Sequence, residues 1–104
     1  MAPRADREVT ISARAAAEIR DAAAWYEAQR TGLSVEFVHA LDRTFSEIGE
    51  RPESCPMVRG RIRRALVRRF PYGVFFMESE RAVTVLAVIH ARRDPRLWPS
   101  RPAR

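Results

Sequence analysis

The sequence predicts a two-layer α+β domain in the order β-α-α-β-β-β, an antiparallel sheet with an αα-hairpin packed on one face. Three observations predict it. From Arg61 to Ala91, alternating and apolar runs are separated by short polar breaks, as in consecutive strands. Residues 13–50 place their apolar side chains at helical spacing, interrupted once at Gly32. Ahead of them, Val9 and Ile11 alternate over Glu8–Ile11, a short first strand.

The elements follow in order. Residues 1–7 are expected to be a loose arm. Ser12 is placed to cap the first helix, because its hydroxyl can accept an amide of the opening turn. Ile19, Ala22, Ala23 and Tyr26 then form one apolar stripe. Gly32 fits a left-handed helix end. Leu33, Phe37, Leu41, Phe45 and Ile48 step along one face of a second helix, which Pro52 ends. So short a link makes the two helices antiparallel. Residues 51–60, with two prolines and Gly60, read as a loop.

In the strands, Tyr72, Val74 and Phe76 share one face, and Phe75 and Met77 the other. Ala82–His90 is apolar on both parities, so it is expected to be central, with Leu86 and Val88 on the face opposite Val85, Ala87 and Ile89. Two helices cover only one face of the sheet, and the surplus apolar surface points either to a partner or to cover by the tail and the Pro52–Gly60 loop. Asp94-Pro95 and Trp98 are expected in a short docked turn, and residues 99–104 in a frayed tail.

A chain of 104 residues makes one domain, residues 1–104, able to hold a core without staples. No apolar run is long enough for a transmembrane helix, and the first residues lack the apolar segment of a signal peptide. With the single Cys55 this fits a reducing, cytoplasmic location. All 19 basic residues are arginine, and the net charge is +6. That field favours nucleic acid, the ribosome or an acidic protein partner without choosing among them. Two histidines and one cysteine have no metal-ligand spacing, and no glycine-rich phosphate loop is present, so neither metal nor cofactor is expected.

Several stretches carry a resemblance. They are Ala24-Trp25-Tyr26-Glu27, Gly32-Leu33 followed by Glu36-Phe37, the Pro52 stop, Arg69-Phe70-Pro71-Tyr72 with Phe76, and the run Val85 to Pro95 with Trp98. In this order, over residues 9–98, the chain resembles the ParE/RelE superfamily of bacterial toxins from type II toxin–antitoxin pairs. The resemblance implies a cognate antitoxin, small and acidic where it binds, forming a hetero-oligomer with the toxin and supplying apolar cover. Leu86, Val88, Phe75 and Tyr72 are the expected antitoxin contacts. It also implies one of two targets. ParE-like members poison DNA gyrase, and RelE-like members cut mRNA on the ribosome.

The residues bear on that choice. RNA cleavage through the 2′-hydroxyl needs a base and cations on the phosphorane. Here it would rest on His90 with Arg69 and Arg92, alongside Arg63, Arg64, Arg68 and Arg93. Arginine stays protonated, lysine is absent, and no tyrosine follows His90. Gyrase capture needs no catalytic set, only a basic surface, for which Arg92, Arg93, Arg96 and Trp98 are the candidates. The sequence favours the ParE branch and a non-enzymatic action. A non-toxic, basic nucleic-acid adaptor is the remaining reading.

Overall fold

A computed structural model describes residues 7–92. The expected N-terminal arm, the Asp94-Pro95 turn and the tail fall wholly or largely outside them. Arg7 is already tied into the fold. Its amide donates to the Gly49 carbonyl at 3.0 Å, and its guanidinium pairs with Glu78 at 3.4 Å.

The order is β1 (Glu8–Ile11), α1 (Ala13–Gln29), α2 (Leu33–Glu50), a 3-10 turn (Pro52–Ser54), β2 (Met57–Arg59), β3 (Ile62–Leu66), β4 (Tyr72–Glu78) and β5 (Ala82–His90). The five strands form one sheet in the order β1-β5-β4-β3-β2. Thus β5 lies inside the sheet, as its apolar composition predicts. All neighbours are antiparallel except β1, which runs parallel to β5. Two features of the strand order differ from expectation. Met57–Arg59 is an edge strand where a loop was expected, since three residues with irregular pairing are too short to show alternation. The parallel β1 arises because the helical hairpin carries the chain away before the meander returns beside it.

Local chemistry sets the helix ends. Ser12 Oγ accepts the Ala15 amide at 3.1 Å and caps α1. Gly32, at φ 91°, makes the left-handed turn between the helices. The Glu27 carboxylate accepts the Gly32 and Ser34 amides at 3.0 and 3.1 Å and the Ser34 hydroxyl at 2.6 Å. Those bonds satisfy donors that the start of α2 leaves open.

The helices bury their stripes on one face of the sheet. Ala15, Ala22 and Tyr26 of α1 and Phe37, Leu41 and Ile48 of α2 meet Val74, Phe76, Val83, Val85 and Val88. Burying each large side chain contributes about 1.5–3 kcal/mol. Tyr26 and Phe37 each meet Phe70 and Tyr72 through tilted or edge-to-face rings 5.0–6.2 Å apart. On the other face, Phe75, Ala87 and Ile89 cluster with Val58 and Ile62. Among the described residues, no helix packs there.

The faces of β5 differ from simple alternation. Phe75 pairs with Ala87 while Phe76 pairs with Val85, so Leu86 is an extra residue, a β-bulge. The bulge shifts the parity. Val83, Val85 and Val88 face the helices, and Ala87 and Ile89 face away. Leu86 and Val88 therefore do not share the helix-free face with each other, contrary to the alternation expected from sequence.

Candidate functional site

The bulge also opens the sheet edge. β1 pairs with Ala82–Val85 and then ends. At that point the Ser12 amide donates to the Val85 carbonyl at 3.0 Å, and Ser12 Oγ donates to the Leu86 carbonyl at 3.1 Å. Helix α1 then lies alongside β5 in place of a strand. From Leu86 to His90, among the described residues, no strand pairs with this edge. The Val88 amide, which points out of it, donates instead to the Glu18 carboxylate at 2.7 Å. The other Glu18 oxygen pairs with Arg14 at 2.9 Å.

A cleft of about 630 Å³ lies between α1 and this edge. α1 contributes Arg14, Glu18, Asp21 and Trp25, Tyr26 and Tyr72 line its apolar part, and His90 and Arg92 stand at the end of β5. Trp25 is 58% exposed yet rests edge-on against Tyr26 at 5.1 Å. His90 Nδ1 accepts the Arg92 amide at 3.0 Å, and its ring meets Tyr72 edge-on at 5.1 Å. Burial, with Tyr72 beside it, pushes the Tyr26 phenol above its ordinary pKa.

The structure brings His90 and Arg92 together but places Arg69 elsewhere. Arg69 sits in the β3–β4 turn at φ 71°, a costly conformation for a residue with a Cβ. Its guanidinium pairs with Glu36 at 3.0 Å and lies 5.8 Å from the centre of the Phe70 ring. Glu36 is shared with Arg30 at 3.3 Å, and the two arginines hold its carboxyl below the usual range. Arg63 pairs with Glu78 at 3.2 Å and donates to the Cys55 carbonyl. Arg64 lies opposite Phe75 in the ladder, and Arg68 is exposed. Arg93, Arg96 and Trp98 fall outside the described residues.

The four expected antitoxin contacts do not form one surface. Tyr72 lies in the cleft and Val88 is 2% exposed in the helix-side core, whereas Phe75 belongs to the helix-free face and Leu86 sits on the bulge. Sequence reasoning missed Glu18, Arg14 and Asp21 as parts of the cleft. One signal for the site was available in Trp25, a large aromatic lying off the Ile19–Tyr26 stripe. Among the described residues, no group of three histidine, cysteine or carboxylate side chains is placed to hold a metal ion. No helix among them is long and apolar enough to cross a membrane.

The described residues form a two-layer α+β domain with an arginine-rich surface and a β5 edge that no described strand pairs beyond Val85. The model of the ParE toxin of type II toxin–antitoxin systems matches residues 9–95, and the chain belongs to that family. The solved chromosomal ParDE TA system from P. aeruginosa superposes with a TM-score of 0.72 at 12% identity, covering 81% of this chain and 95% of that one. At that identity the likeness is one of fold. No individually curated protein matches the chain.

Proposed function

We propose that this protein is the toxin of a type II toxin–antitoxin pair, held inactive in the cytoplasm by a cognate antitoxin, and that it blocks replication by poisoning DNA gyrase without chemistry of its own. Membership of the ParE family carries this reading. The site geometry supports it. Arg69 is engaged by Glu36, away from the cleft that His90 and Arg92 share. The Tyr26 phenol is shifted away from, not towards, the neutral pH at which a general base works. An acidic antitoxin segment also complements the net charge of +6.

One observation favours the ribosome-dependent nuclease as a second reading, namely that His90, Arg92 and two tyrosines line one cleft. Inducing the protein alone in bacteria, with DNA and protein synthesis followed side by side, separates the two. Early loss of DNA synthesis is expected. Early loss of protein synthesis with cut messages would replace the gyrase reading with the nuclease. Unimpaired growth would leave a basic nucleic-acid adaptor.

A further inference from the structure

We infer that the chain's own C-terminal segment, residues 93–98, is a strap across the helix-free face of the sheet, with the Trp98 indole seated over Phe75, Ala87 and Ile89 and against the Arg64 guanidinium. The inference concerns the chain by itself and holds whichever target the protein has.

Phe75, Ala87 and Ile89 are only 2%, 4% and 5% exposed, although no helix among the described residues lies over them. Val58 and Ile62 pack against them from strands of the same sheet, which walls them at the side without covering them. Arg64, opposite Phe75 in the ladder, has its Nε and Nη1 out of contact with solvent. The burial is local. On the same face Thr10 and Thr84, near the start of β5, are exposed, and so is Leu66 on β3. The cover therefore lies over the end of β5 where the chain runs on past His90, and it reaches across β4 to Arg64.

The described loops lie elsewhere. Cys55, after the 3-10 turn, packs on the helix-side core, and Val67 and Phe70 of the β3–β4 turn belong to that core. Residues 79–81 join β4 to β5 at the exposed end of the face. Arg7 is tied to Gly49 and Glu78, so the residues before it also start from that end. The residues beyond Arg92 remain, and their length and composition fit. From β5 to β2 the sheet measures about 14 Å across, three strand spacings. Extended, the stretch from Arg93 to Trp98 spans up to about 20 Å. Its large apolar side chains are Leu97 and Trp98, set between Pro95 and Pro99. The prolines restrict the backbone and lower the cost of ordering it. An indole is broad enough to cover one aromatic and two aliphatic neighbours, and its face attracts a guanidinium. Trp98 thus serves the fold, and Arg92, Arg93 and Arg96 are left as the candidates for target contact.

The test uses the full-length chain without antitoxin. Trp25→Phe leaves Trp98 as the only tryptophan, so fluorescence reads the strap directly. Its emission should be blue-shifted, and its quenching by acrylamide several-fold weaker, relative to the same chain unfolded in urea. Nuclear Overhauser contacts should join the Trp98 ring to the Ala87 and Ile89 methyl groups. Trp98→Ala should melt at a lower temperature than the wild type and bind more of a dye specific for exposed apolar surface, and Trp98→Phe should recover part of both losses. Emission and quenching of Trp98 equal to those in urea would overturn the strap. So would ring contacts to Tyr72 and His90 in the cleft instead of Ala87 and Ile89, or unchanged melting and dye binding in Trp98→Ala. Shielding that is lost on dilution would assign the cover to a second copy and overturn the stated occupant. Should Trp98→Ala fail to fold, the Trp25→Phe chain still decides.

Discussion

Ser12 Oγ accepts the Ala15 amide and donates to the Leu86 carbonyl, both at 3.1 Å, so a single hydroxyl caps α1 and pins the bulge of β5. Ser12→Ala removes both bonds. The expected loss is about 1–2 kcal/mol in urea denaturation, the upper part of the range for a helix cap. Ser12→Asp keeps an acceptor for the helix but sets a carboxylate against the Leu86 carbonyl. It should recover only part of the loss, and full recovery would show that the bulge contact contributes nothing.

Core substitutions should follow burial. Phe37 is fully buried against three aromatic rings, Tyr26, Phe70 and Tyr72, and Phe37→Ala is expected to cost about 3–5 kcal/mol. Leu86 on the bulge is only half-buried, so Leu86→Ala should cost clearly less than Phe37→Ala. Val35 is 55% exposed, and Val35→Ala should stay within about 0.5 kcal/mol. Equal melting points for the Phe37 and Val35 variants would refute this packing.

Gly49 lies near the end of α2 where β1 begins. A Cβ there would stand 3.2 Å from the Arg7 carbonyl and 3.2 Å from Val9 Cγ2. In an open helix the change to alanine gains up to about 1 kcal/mol. Here the Arg7 backbone is tied to the Gly49 carbonyl and cannot retreat freely. Gly49→Ala is therefore expected to lower the melting temperature, and a rise would show that β1 yields.

The Glu27 and Glu36 carboxyls both lie below their ordinary pKa. Glu27 is lowered by the Ser34 hydroxyl and then by the Gly32 and Ser34 amides, and Glu36 by Arg30 and then Arg69. Their charged forms are favoured by folding. The stabilisation is complete above the unfolded value, about 4.3, and disappears as pH falls through the lower folded values. Melting temperature followed from pH 6 downward should drop in that window. Glu27→Gln should make the drop shallower, while an unchanged slope would assign the acid sensitivity to other groups.

The helical half of the fold was legible because its signals are local. The stripe through Ile19, Ala22 and Tyr26, the restart at Leu33 and the cap at Ser12 each depend on residues within a few positions of one another. The faces of β4 were legible for the same reason: Tyr72, Val74 and Phe76 point to the helices and Phe75 away. β2 was not, since three residues carry no period. For the site, His90 and Arg92 were named from the sequence as nuclease candidates and Tyr72 separately as an antitoxin contact, and the structure places all three along one cleft. Glu18 was not, because a glutamate on a polar helix face looks like any solvated charge.

By itself, then, the sequence determined the helical hairpin, the inward faces of the helices and of β4, the basic character of the surface and the stretches that resemble its family. Only the tertiary structure decided which strand lies beside β5, where β5 bulges and what the bulge leaves open. Composition and periodicity specify which side of an element is apolar, but not its neighbour. The Thr10–Thr84 contact joins residues 74 positions apart, and the register shift at Leu86 turns on a single residue. Both are settled by how the helices and strands pack together. The same packing brings the Glu18 carboxylate to the Val88 amide, 70 positions away in the chain.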